Sequence, residues 1–203
     1  MPGLIQNRTD HEPTSLNTMV FADLVSQRPT DRALRILDLG TVRQSTIDFF
    51  SDYHCHILVT GLCDDYVPGE GLGKQTLKQC QQLIKQDISR HSNNHYDLIL
   101  FWDLLNYLDK DHVPLLVAPL LPVLTSATRC HSFLYTTANR PSRPGGFEIV
   151  SREQMILVPG TTEQNHSKSI TQTTLGKFLP HYKTLRTVLM RNGTQELAFE
   201  VQN

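Results

Sequence analysis

Arg35-Ile36-Leu37-Asp38-Leu39-Gly40 is the stretch whose reading decides the fold. A short apolar run that carries one acid, Asp38, and ends in Asp-Leu-Gly has the character of a strand buried on both faces. The segment 44–53 behind it reads as a helix whose inner face is Ile47, Phe49 and Phe50. About sixty residues on, Tyr96-Asp97-Leu98-Ile99-Leu100-Phe101-Trp102-Asp103 repeats the buried-strand pattern more strongly and runs into Leu104-Leu105-Asn106-Tyr107-Leu108.

Working outward, residues 1–13 carry Pro2, Gly3 and Pro13 among polar residues and read as a loose arm ahead of one domain, 14–203. Leu16, Met19, Val20 and Leu24 fall at helical spacing, which predicts a first helix over 15–27 with Thr14 or Ser15 as N-cap and Pro29 closing it. Ile57-Leu58-Val59 is a second buried strand. A loop rich in Gly, Asp and Pro follows over 61–73, then an amphipathic helix through Leu77, Cys80, Leu83 and Ile84. Asp109 or Asp111 is placed to cap the next helix. Its stretch 113–124, with Val113, Leu115, Leu116, Val117, Leu120, Leu121, Val123 and Leu124, is apolar nearly all round. Such a segment is either deeply buried or covered by another chain, a second copy or a protein partner.

A strand over 132–136 opens into the loop 139–146. Either 148–150 or 155–158 reads as a further strand, and 161–169 as a mobile polar loop. After a helix near 171–179, the runs 185–190 and 196–201 flank Arg191-Asn192-Gly193, and Asn-Gly between alternating runs is a strong hairpin signal. Strand and helix alternating in this order require an α/β fold: a mainly parallel sheet with helices on both faces and a closing antiparallel hairpin.

The chain has 203 residues, enough for one sizeable core, and a net charge of −1. With a pI near 6.7, no strong field draws it to nucleic acid or to an anionic membrane. No apolar stretch is long enough to span a bilayer, and the sequence points to a soluble, cytoplasmic protein. Four cysteines without a CxxC pair read as reduced, mostly buried thiols. His54-Cys55-His56 with Cys63 does not make a metal site, because in a strand only His54 and His56 share a face. No metal is expected. There is no GxxxxGK[ST] phosphate loop, no GxSxG elbow and no hydrolase triad.

The two opening strands and the element order together resemble class I S-adenosylmethionine-dependent methyltransferases, with a Rossmann-like fold, from about residue 14 to the C-terminus. In that family the turn after the first strand reads as an acid, any residue, then Gly-x-Gly-x-Gly. Here it reads Asp38-Leu39-Gly40-Thr41-Val42-Arg43-Gln44. Asp38 and Gly40 match; the second and third glycines are Val42 and Gln44. A β-branched residue in left-handed geometry costs roughly 1–2 kcal/mol, so the turn is expected to take another path.

The resemblance implies S-adenosylmethionine as cofactor, held by Asp38, Gly40 and Thr41, with weak or absent binding expected from the altered turn. It also implies a carboxylate for the ribose at the end of the second strand, where Thr60-Gly61 stands with no acid before Asp64. Asp87 falls where the family's adenine-reading residue would lie. Trp102 and Asp103 fall beside the methyl donor, and Asp103 is the candidate general base. Asn106, Tyr107, Arg140 and Arg143 are the candidate substrate contacts, for an acceptor that is a small molecule or a protein. Two functions follow from the sequence: a methyltransferase with a divergent cofactor site, or a pseudo-methyltransferase kept as a binding or scaffold module.

Overall fold

The computed structural model describes residues 13–67, 70–91, 95–108, 112–118, 120–136, 140–160, 164–165, 171–179 and 182–201. Asp109, Asp111 and most of the expected loops at 1–13 and 161–169 lie outside these. The elements in chain order are β1 Thr14–Asn17, α1 Met19–Ser26, β2 Leu34–Asp38, α2 Gln44–Ser51, β3 Cys55–Val59, α3 Lys74–Ser89 and β4 Leu98–Trp102. They continue with α4 His112–Val117, β5 Arg129–Tyr135, β6 Arg140–Pro141, β7 Gly146–Ser151, β8 Gln154–Val158, β9 Gln164–Asn165, α5 Gln172–Phe178, β10 Tyr182–Leu189 and β11 Thr194–Val201. Short 3-10 turns cover Leu104–Tyr107 and Leu121–Val123.

Six strands form the central sheet in the order β10-β11-β5-β4-β2-β3. β3, β2, β4 and β5 are parallel; β11 joins β5 antiparallel, and β10 pairs β11 as the closing hairpin. This is the mainly parallel α/β sheet with an antiparallel hairpin that the sequence predicts. Gly193 takes φ +79° in the hairpin turn, as the Asn-Gly signal requires.

Ile36 and Asp38 of β2, Leu98 and Leu100 of β4, and His131 of β5 share one face, since they are in register at alternate positions. Helices α1 and α2 cover it, with Phe21 against Phe49, Phe50 and His131. On the other face Arg35 reaches Asp87 of α3 at 2.7 Å. Helices therefore lie on both faces.

Two segments depart from the sequence reading. The expected helix over 15–27 splits: Thr14–Asn17 is a strand, paired antiparallel with β8 through Leu16 and Met155, and the helix begins only at Met19. Neither Thr14 nor Ser15 caps it. The buried carboxylate of Glu196 on β11 does so instead, accepting from the amides of Val20 at 3.0 Å and Phe21 at 2.8 Å. A charged acceptor on the open amides of a helix N-terminus satisfies both their hydrogen bonds and the helix dipole.

The region after 146 forms both candidate strands, Gly146–Ser151 and Gln154–Val158. β7 and β8 make a hairpin that joins β1 in a separate three-stranded sheet, β1-β8-β7. The apolar stretch 113–124 resolves to core: Val113, Leu116, Val117, Leu120, Val123 and Leu124 are buried within the chain, and only Leu115 among its large apolar side chains is well exposed. Among the described residues no helix is long and apolar enough to cross a membrane.

Candidate functional site

In an open parallel sheet a ligand enters beyond the carboxyl ends of the strands, where strand order reverses. Here β2 stands between β3 and β4, and the ends of β2 and β4 carry Asp38 and Trp102. Asp38 is buried, and its Oδ1 accepts from the Gly40 amide at 2.7 Å and from the Trp102 indole Nε1 at 2.6 Å. Its Oδ2 has no hydrogen-bond partner among the described residues. Burial pushes the Asp38 carboxyl up to about 6, although the bonds from Trp102 and Gly40 act the other way.

The Trp102 indole is the central object of the site. It lies so close over Gly40 that a Cβ there would overlap the ring. On its other side it stacks on Phe147 of β7, with centroids 5.2 Å apart and planes at 16°, and Phe147 in turn stacks on Phe133 at 4.7 Å and 5°. Trp102 is also the only non-glycine among the described residues with positive φ, at 51°. It sits where the pairing of β4 with β5 slips between Leu100 and Trp102, and a bulky residue in that conformation costs on the order of 1–3 kcal/mol. Packing against Phe147 and the bond to Asp38 offset that cost and hold the ring over the turn.

The small sheet thus closes the mouth from above. Its β7 is fastened to the end of β4 by Asp103, whose Oδ2 accepts from the Gly145 amide and the Tyr135 hydroxyl, both at 3.0 Å, with the Tyr107 hydroxyl at 3.5 Å. Arg43, at the start of α2, forms a 3.7 Å ion pair with Glu148 of β7 and covers Gly146 so closely that a Cβ there would clash. Between the turn and this cover lies a cavity of about 10 Å³, bounded by Thr41, Thr46, Trp102 and Phe147 among others. That is scarcely room for one water.

Several sequence expectations change as a result. Asp103 has no exposed surface, so it is a clamp for the cover and not a base open to a ligand; burial pushes it up to about 6. Trp102 lies at the expected position but fills the space it was expected to line. Asn106 is buried, with Nδ2 donating to the carbonyls of Asp103 and Phe133 and Oδ1 accepting from the Tyr135 amide. It ties β4 to β5 and offers nothing to a substrate. Tyr107 packs edge-on to Tyr66 at 5.3 Å and is buried as well.

Asp87 is corrected outright. It sits among Arg35, His56 and Tyr96, at the amino ends of the strands, on the far side from the turn. The cause is the crossover itself: α3 runs antiparallel to the strands, so its last turn lies where the next strand begins. Thr60 directs its amide and hydroxyl to the Asp38 carbonyl, at 2.9 and 3.3 Å, and Asp64 is exposed. Thr41 stays beside the turn, half-buried. Val42 points outward, 62 % exposed, and neither Val42 nor Gln44 takes positive φ. Arg140 lies in β6, and the stem of Arg143 packs near Gly160.

Sequence reasoning missed Arg43, Phe133, Tyr135, Gly145 and Phe147. Only Phe147 left a signal, as the one aromatic after a Gly-Gly pair in a segment of uncertain structure.

The described residues do not fit S-adenosylmethionine, the cofactor the sequence resemblance implies. Pockets for ligands of that size hold several hundred Å³, whereas the protein's own indole occupies the approach to Gly40, and no carboxylate closes on a ribose beside Thr60.

No protein-family model matches the chain, and no curated protein matches it in sequence. Solved structures do resemble it in fold. The pyocyanin biosynthetic protein PhzM matches at 11 % identity and TM-score 0.45, over 89 % of this chain but only 54 % of its own, so the chain spans about half its length. A 1,6-didemethyltoxoflavin-N1-methyltransferase of Burkholderia thailandensis, bound to S-adenosylhomocysteine, matches at 12 % and 0.47 over 90 % and 76 %. An S-adenosylmethionine-dependent methyltransferase of Clostridium acetobutylicum matches at 11 % and 0.49 over 90 % and 91 %. Likeness at this level concerns the path of the chain and says nothing of its chemistry.

Proposed function

We propose that this protein is a catalytically inactive methyltransferase-like module, a binding or scaffold protein whose cofactor turn is closed by its own side chains. The observation that carries this reading is the Trp102 indole, packed between Gly40 and Phe147 and bonded to Asp38. Room for a cofactor would require the ring to leave, which breaks a bond to a carboxylate, the stack on Phe147 and an edge contact with His131. The cover sheet would have to lift as well, against Asp103. An active enzyme would also need a group to hold the ribose, and Thr60 is engaged with Asp38 instead. With no group transfer to perform, what the fold offers is its surface, and the partner is a protein or a small molecule met outside the closed mouth.

Thermal unfolding of the purified protein with and without S-adenosylmethionine or S-adenosylhomocysteine tests the reading. A bound ligand at about a hundred times its dissociation constant stabilises by roughly 2.7 kcal/mol, or roughly 5–10 °C in a domain of this size. The expected result is no shift at millimolar ligand. A clear shift would restore the methyltransferase reading and make the methyl acceptor the next question.

A further inference from the structure

On the opposite end of the sheet from the closed turn, His56, Asp87 and His91 come together. Each offers a ligand atom within 4.8 Å of the other two. His56 Nε2 lies 2.7 Å from Asp87 Oδ1, His91 Nδ1 lies 3.7 Å from the same oxygen, and the two imidazoles are 4.1 Å apart between centroids. The sequence puts His56 on one strand face with His54; the fold brings it instead to residues thirty or more positions away. We propose that His56, Asp87 and His91 form a binding site for a divalent transition-metal ion of the zinc type.

The two oxygens of Asp87 are divided in the way such a site needs. Oδ2 accepts from Arg35 at 2.7 Å and from the Tyr96 hydroxyl at 2.7 Å. Oδ1 faces only the two histidines among the described residues. Carboxylate ligands are ordinarily held by outer hydrogen bonds of this kind, which orient the free oxygen. Arg35 is the costliest neighbour for a cation, and the carboxylate lies between it and the position the ion would take.

His91 Nδ1 is 2.8 Å from the Asp87 carbonyl. A ring that donates there has Nε2 bare and binds the ion through it, while a ring that gives up this bond presents Nδ1, the atom 3.7 Å from Asp87 Oδ1. At His56 the ion takes the place of the proton shared between Nε2 and Oδ1, which leaves to solvent.

The donors also match the ion. Two imidazoles and one carboxylate suit zinc and its neighbours and are a poor set for calcium or magnesium. Both histidines are about one-third exposed, and His91 borders an open groove of about 680 Å³ between α3 and the 121–123 turn, so water can complete the coordination. His56 lies on the edge strand β3 and the other two at the end of α3. A bound ion therefore staples the helix to the sheet edge.

The test is calorimetric titration of the tag-free protein with Zn²⁺, with Co²⁺ absorption as a second probe of nitrogen and oxygen coordination. His56→Gln and His91→Gln keep a hydrogen-bond donor toward Asp87, and their metal-free unfolding temperatures report whether each remains folded. His54→Ala, on an exposed residue, is the control. The expected result is one ion per chain, with affinity reduced by more than about tenfold in both glutamine variants, since even outer-shell losses cost that much, and unchanged in His54→Ala. No saturable binding by the wild type overturns the proposal, as does binding that survives either glutamine substitution.

Discussion

Replacing Asp103 with asparagine keeps an oxygen to accept from the Gly145 amide and the Tyr135 hydroxyl and removes the charge. In the wild type, burial raises the carboxyl from its ordinary 3.8 to about 6. A group whose native pKa lies above its unfolded value binds its proton more tightly when folded, so its stabilising contribution is full below pH 3.8 and gone above about 6. The difference is roughly 3 kcal/mol, which for a domain of this size is roughly 6–12 °C in unfolding temperature. Asp38, raised to about 6 by the same cause, contributes a similar fall. Asp87 and Asp97 are held below the ordinary value: burial opposes this, but bonds from His56 and Tyr96 to the one, and from Arg32 to the other, outweigh it. Their stability is lost only toward more acid pH.

Scanning calorimetry from pH 4 to 7.5 should therefore show the wild type losing stability across that range and Asp103→Asn losing several degrees less. At pH 7.5 the variant should be as stable as the wild type or more so. Identical pH profiles for the two proteins would refute the buried, raised carboxyl and the clamp built on it.

Glu196→Ala leaves the amides of Val20 and Phe21 and the His131 ring, 3.1 Å from the carboxylate, without their shared acceptor. It should cost about 3–5 kcal/mol in urea unfolding, and Glu196→Gln distinctly less. Gly40→Ala places a methyl group against the Trp102 ring and should destabilise by about 1–3 kcal/mol; iodide quenching should show the indole more exposed. Leu116→Asp puts a charge at a position 1 % exposed, so circular dichroism should find an unfolded chain. A folded monomer arising from an oligomer would show that the 113–124 stretch is an interface after all.

The parallel strands were legible because strands buried on both faces read as apolar runs, and the closing hairpin because Asn192-Gly193 marks its turn. Thr14–Asn17 was not, since its partner Gln154–Val158 lies some 140 residues on and Leu16 fits a helical stripe with Val20 equally well. The candidate site failed in the same way. Asp38, Gly40 and Trp102 are visible as letters at the right strand ends, but whether Trp102 lines a pocket or fills it depends on Phe147, which reaches it from a separate sheet. Asp87 misled because counting residues along a helix does not say at which end of the sheet the helix stops.

Trp102 is the single tryptophan of the chain, so the protein's indole fluorescence reports on the closed turn alone. Emission and iodide quenching followed during titration with S-adenosylhomocysteine are the most direct measurement. The account predicts a shielded, blue-shifted emission that stays constant to millimolar ligand. A saturable change in intensity or position, accompanied by a change in quenching, would mean that the ring yields its place to the cofactor and would contradict it.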